Sequence, residues 1–182
     1  MLRKLGYGTL VATIAFMWGV AIALRPGLPE RIPLHFTIDG TPDKWGAPTV
    51  GNWFMIPILG SSFALLFLGL ALALPAIASR YPSIVNIPRK AEFLALPTEA
   101  RRRVMGTVGT MLSLISSAML LMFTHILYAT AQVALGECER APVLITLAPV
   151  ALILAIVVVG QIRIRQRLAI EAAISRAGIV PE

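Results

Sequence analysis

His35 and His125 are the only two histidines in the chain. Asp39 and Asp43 follow the first of them, and Glu137 and Glu139 follow the second. Two imidazoles and a carboxylate form a donor set suited to zinc or another divalent metal. The spacing matches no standard metal motif. His35 and Asp39 are four residues apart, about 13 Å on a straight strand, so they can share an ion only where the chain turns. The plainer alternative is that His35 hydrogen-bonds within its own loop while His125 sits in the headgroup region. The two acid pairs have the residue types for general acid–base work, but surface acids in a loop are far more often solvated. No HExxH, GxSxG, phosphate loop or dinucleotide fingerprint occurs. A binding protein is therefore expected before an enzyme. Cys138 stands alone, which excludes an intrachain disulfide and a cysteine cluster.

The elements that position these residues are apolar. Of 182 residues, 57% are hydrophobic and 14% charged, and the mean hydropathy is +0.81. A soluble domain is roughly half apolar and about a quarter charged. The excess lies in four blocks, about 5–24, 54–78, 104–135 and 143–162, none of which contains Asp, Glu, Lys or Arg. About 20 residues of helix cross a bilayer core of about 30 Å. Backbone cannot face lipid unsatisfied, so each block should be a helix. Arg3, Lys4 and Ala21-Ile22-Ala23 resemble a signal peptide, yet the first block exceeds the ~7–15 apolar residues of one; an uncleaved span is expected. The expected fold is one all-α integral membrane domain over residues 1–182, with four transmembrane helices and a short proline-rich extracytoplasmic cap between the first two.

Charge placement sets the orientation. Counting Lys and Arg, the N-terminus has two, the loop 79–103 six and the tail 163–182 four. The loop 25–52 has three and the third loop only Arg140. The richer side is cytoplasmic, so both termini are expected there, in a bacterial inner membrane. The net charge of +7 then reflects this sorting and not nucleic acid, since no basic stripe with interleaved aromatics occurs. Arg101-Arg102-Arg103 and the basic stretch after Ile162 should meet anionic headgroups. Trp53 and Phe54 are expected at the outer interface. His125 lies 22 residues beyond Arg103, roughly 33 Å of helix, so both histidines are expected at that outer side.

The loop 25–52 is rich in Pro and Gly and carries three basic and three acidic residues. Ile32, Leu34, Phe36 and Ile38 alternate with Pro33, His35, Thr37 and Asp39, which predicts an extended segment with one buried face. Asp39-Gly40 is a turn signal. Pro42 argues against a regular return strand, and Asp43-Lys44-Trp45-Gly46 reads as a second turn. Phe36 and Trp45 are the expected anchors, Gly40 and Gly46 the backbone-shaping residues, and His35, Asp39 and Asp43 the chemically usable groups.

Leu28-Pro29-Glu30-Arg31-Ile32-Pro33-Leu34-His35-Phe36, followed by Gly40, Pro42-Asp43 and Trp45-Gly46, resembles the signature of a bacterial membrane domain of unknown function found in the SdpI-type immunity proteins. Ile87-Pro88-Arg89-Lys90-Ala91-Glu92-Phe93-Leu94, ending at Leu96-Pro97, is similar to a cytoplasmic-loop pattern of the same family. The resemblance covers roughly residues 1–105. It implies a multispan envelope protein and, in immunity-type members, toxin resistance with sequestration of a repressor at the membrane. Those members are commonly longer, with additional spans.

These observations lead to recognition of a peptide, toxin or membrane partner through the outer loop, at His35, Phe36, Asp39, Gly40, Asp43 and Trp45. The rivals are an accessory subunit of a larger membrane complex, a metal-dependent enzyme or sensor using His35 and His125, and a transporter. The third block carries Ser113, Ser116, Ser117 and Thr124. Small and hydroxylated residues let helices approach closely, whereas a polar path would normally need an ionisable group at mid-membrane.

Overall fold

The structure, a computed structural model, describes residues 2–178. Residues 179–182 of the expected tail, and the side chains of Arg3 and Lys4, lie outside the described residues. Four long helices dominate: α1 (Leu2–Leu24), α2 (Val50–Arg80), α4 (Thr98–Ala134) and α5 (Val143–Arg176). Each is long and apolar enough to cross a membrane. A two-stranded antiparallel hairpin, β1 (Ile32–Phe36) and β2 (Pro42–Gly46), joins α1 to α2, and the short helix α3 (Lys90–Ala95) precedes α4.

The helices outrun the apolar blocks that predict them. Thr49 accepts a hydrogen bond from Asn52 N at 3.1 Å, which starts α2 at Val50. Pro97 precedes the first turn of α4, and Arg101–Arg103 lie inside that helix. Arginine ends a hydrophobic run but is a good helix former. For the same reason α5 runs unbroken through Arg163, Arg165 and Arg167.

Two core clusters show how the helices run. One joins Leu10, Met17 and Ala21 of α1 to Trp53 and Ala64 of α2, to Leu120, Leu127 and Ala131 of α4, and to Ile32 of the hairpin. The other joins Ala78 of α2, Val104 and Met105 of α4, and Ile164 and Leu168 of α5 to Val85, Ile87, Phe93 and Leu96. Thus α1 and α4 point one way and α2 and α5 the other. The hairpin packs at one end. The 81–97 segment tucks Val85, Ile87, Phe93 and Leu96 under the other, with Phe93 fully buried.

All three other long helices pack on α4, and α1 and α2 touch each other more sparsely. Small residues make this close. A Cβ on Gly109 would lie 3.0 Å from Ala71 O of α2. The hydroxyls of Ser113, Ser116, Ser117, Thr124 and Thr130 each donate to the carbonyl four residues back, at 2.8–3.0 Å. They are spent on their own helix, which supports packing as their role. Two indoles tie α1 to α2: Trp18 Nε1 donates to Ser61 Oγ at 2.9 Å, and Trp53 Nε1 to Ala21 O at 2.8 Å. Trp53 is 1% exposed. At the start of its span it is an interior residue, packed among α1 and α4 and not turned outward. Outward faces of the helices remain apolar, with Leu65 62%, Leu154 63% and Val158 59% exposed, as lipid-facing surfaces are.

Gly109→Leu should push α2 from α4 and cost about 1–3 kcal/mol. Gly69→Leu, where a Cβ meets nothing within 4 Å, should be nearly neutral. Unfolding in mixed detergent micelles measures both, and equal losses would refute a packing role for Gly109.

Candidate functional site

The hairpin begins with Ile32 and ends with Gly46, which pair across the ladder; His35 faces Lys44 and Phe36 faces Pro42. The return strand is therefore complete, contrary to the turn expected at Asp43–Gly46. Pro42 is tolerated because it is the first residue of its strand, where no ladder N–H is required, and register shifts on either side of His35 absorb the mismatch. The predicted alternation holds only in part: Leu34 and Phe36 are half-buried beside an exposed His35, but Pro33 is buried like Ile32, and Ile38 lies in the turn and is 96% exposed. The anchors differ too. Ile32 is buried in the core with Leu34 packed beside it, whereas Phe36 is half-buried and Trp45 is exposed.

The turn is braced internally. Thr37 N donates to Thr41 O at 2.9 Å and Gly40 N to Thr37 O at 2.9 Å. The Asp39 carboxylate accepts from the hydroxyls of Thr37 and Thr41 and from Thr41 N. It is also clipped to the loop between α4 and α5. Arg140 Nη1 meets Asp39 Oδ2 at 3.1 Å, and Ala141 N donates to Gly40 O at 2.9 Å. Gly40 has φ +84°, and a Cβ there would overlap Ala141 O. Both facts demand glycine. Thr37 and then Thr41, with a smaller contribution from Arg140, hold the Asp39 carboxyl down to about 2 from its ordinary 3.8. These partners favour the ionised form. Their contribution is complete above pH 3.8 and is lost as pH falls through about 2.

His35 Nδ1 lies 2.7 Å from Asp43 Oδ1, with side chains 65% and 43% exposed. The expected partnership of His35 is thus with Asp43 across the ladder, while Asp39 turns to Arg140. His125 lies on α4, and its Nε2 is buried with no hydrogen-bond partner. Among the described residues no three His, Cys, Asp or Glu side chains gather as a metal would require.

The opposite end of the bundle holds a polar centre that sequence reasoning missed. Glu171 of α5 is 1% exposed. Arg103 of α4 grips both its oxygens, Nε to Oε1 at 2.9 Å and Nη2 to Oε2 at 2.8 Å. Arg167, one turn away, adds Nη2 to Oε1 at 2.8 Å. The signal was a single acid in the otherwise basic 163–178 stretch, four residues after an arginine.

Residues 12–60 match a family described as a domain of unknown function (DUF1648). That stretch takes in most of α1, the whole hairpin and the first part of α2. Neither curated proteins nor solved structures match the chain.

A carbon-detected NMR titration of Asp39 should show a midpoint near 2, and Thr37→Val should raise it; a midpoint at 3.8 would refute the bracing. Arg103→Ala should cost about 2 kcal/mol in micelles, below the usual figure for breaking a buried pair because Arg103 itself reaches solvent. The double variant with Glu171→Ala should cost less than the two single losses together.

Proposed function

We propose that this chain is a bacterial inner-membrane protein of SdpI-like type, with both termini cytoplasmic, and that its hairpin faces outward and recognises a peptide, toxin or membrane partner. The carrying observation is how the hairpin is held. Ile32 and Leu34 sink one edge into the bundle, and Asp39, Gly40, Arg140 and Ala141 fasten the tip. Besides the turn at residues 37–39, this leaves His35, Asp43, Lys44 and Trp45 exposed in a short row along the strands. A fixed scaffold presenting polar groups beside an exposed indole is the usual composition of a recognition surface. Pre-ordering of that row removes much of the entropy that binding would otherwise cost.

The orientation rests on twelve Lys and Arg in the N-terminus, second loop and tail, against four in the other two loops. The chain's own cysteine tests it. Cys138 lies in the loop that carries Arg140. A membrane-impermeant maleimide should label it in intact cells. In Cys138→Ser/Ser83→Cys, labelling should require permeabilisation; the reverse pattern would overturn the outward hairpin.

Cells expressing the chain should survive a secreted peptide toxin of the sporulation-delaying class better than cells without it. Trp45→Ala should weaken partner binding about tenfold or more, while Ile38→Ser, at the open turn outside that row, should change little. Protection unaffected by Trp45→Ala and by Asp43→Asn together would remove the hairpin from the mechanism.

A further inference from the structure

Between α4 and α5, on the face away from the hairpin's cluster, runs a groove of about 1220 Å³. Its walls follow helical spacing on both sides. Met111 and Leu114 come from α4, and Leu152, Ile156 and Val159 from α5. Gly106 and Gly160 line it without side chains. From Leu152 to Arg163 the trough runs 11 residues, roughly 16 Å of helix. Half of a bilayer core is about 15 Å. The apolar part therefore has the length of one leaflet's acyl chain.

The trough ends in charge. Arg102, Arg103, Arg163, Gln166 and Arg167 line its last two turns, with Glu99 as the acid among them. Glu171 occupies Arg103 and Arg167, and Glu99 occupies Arg102 at 3.4 Å. Arg163 has no ion pair among the described residues. Four arginines against two carboxylates leave this rim two charges positive. A single phosphate with an attached apolar chain complements both parts; a free phosphate would use only the rim.

We propose that the α4–α5 groove is a binding site for one anionic phospholipid from the leaflet at the arginine-rich end. Its phosphate meets Arg163 and the adjoining guanidiniums, and an acyl chain fills the trough over Gly106. Basic pockets between membrane helices hold acidic headgroups by this combination of charge and shape. The Glu171 clamp matters here because it fixes α5 against α4 at the groove's mouth. The proposal rests on the bundle's membrane setting and is independent of what the hairpin binds.

The test is native mass spectrometry of the full chain, purified and delipidated in mild detergent, titrated with phosphatidylglycerol or phosphatidylcholine of matched chains. One phosphatidylglycerol per chain should remain bound, preferred about fivefold or more. Arg163→Gln should bring the two lipids near parity. Gly106→Leu adds bulk in the trough where a Cβ meets nothing within 4 Å, and should lower retention of both. Millimolar inorganic phosphate should not displace the lipid. Equal retention of both lipids by wild type, no effect of Arg163→Gln, or displacement by phosphate alone would overturn the proposal. So would a dimer of the chain that Gly106→Leu abolishes while lipid retention stays unchanged.

Discussion

Burying leucine against leucine gains a helix little in hydrocarbon, because lipid is as apolar as its neighbour. Close contact must then come from small residues and from polar groups that find partners. In this chain that requirement falls on α4. Its Gly109 lets α2 come close at Ala71, and its serines and threonines return their hydrogen bonds to their own backbone. Remove that surface and the two core clusters lose the wall they share. The hairpin would lose its seat as well, since Ile32 packs among residues of α1, α2 and α4.

The two ends of the bundle are held by different physics. At one end Asp39 and Arg140 are both exposed, a type of pair worth little by itself. It is fixed by the company it keeps: a backbone hydrogen bond at Gly40, two threonine hydroxyls and a glycine that nothing larger can replace. At the other end Glu171 is enclosed and two arginines reach it from the surface. There the geometry is bidentate, which suits a guanidinium and would not suit lysine.

Much of the architecture was legible in the residues. Four apolar blocks without charge could only be helices, and Asp39-Gly40 marked its turn. The failures share a cause. Trp53 reads as an outward aromatic because position along the chain shows depth but not which face of the helix looks inward. Pro42 reads as a strand breaker because its tolerance depends on being the strand's first residue, a fact of register. Glu171 and Arg103 are 68 residues apart, and nothing local in either segment announces the other. The sequence pointed to His35, Asp43 and Trp45, which are exposed, and passed over Lys44 beside them; naming Phe36 and Trp45 as anchors inverted the part Trp45 plays, since the indole faces out and Ile32 goes in.

Among the long helices, α5 leans chiefly on α4, and its most enclosed polar side chain, Glu171, is matched by a guanidinium carried on that same neighbour. The acid has no comparable partner until α4 is in place with Arg103 at its surface. The hairpin's cluster draws on α1, α2 and α4 and not on α5, so the last helix is an addition to that core and not a part of it. A chain interrupted before Val143 would still own the hairpin's core contacts, but Arg103 would lose Glu171 and the side of α4 that α5 covers would lie bare.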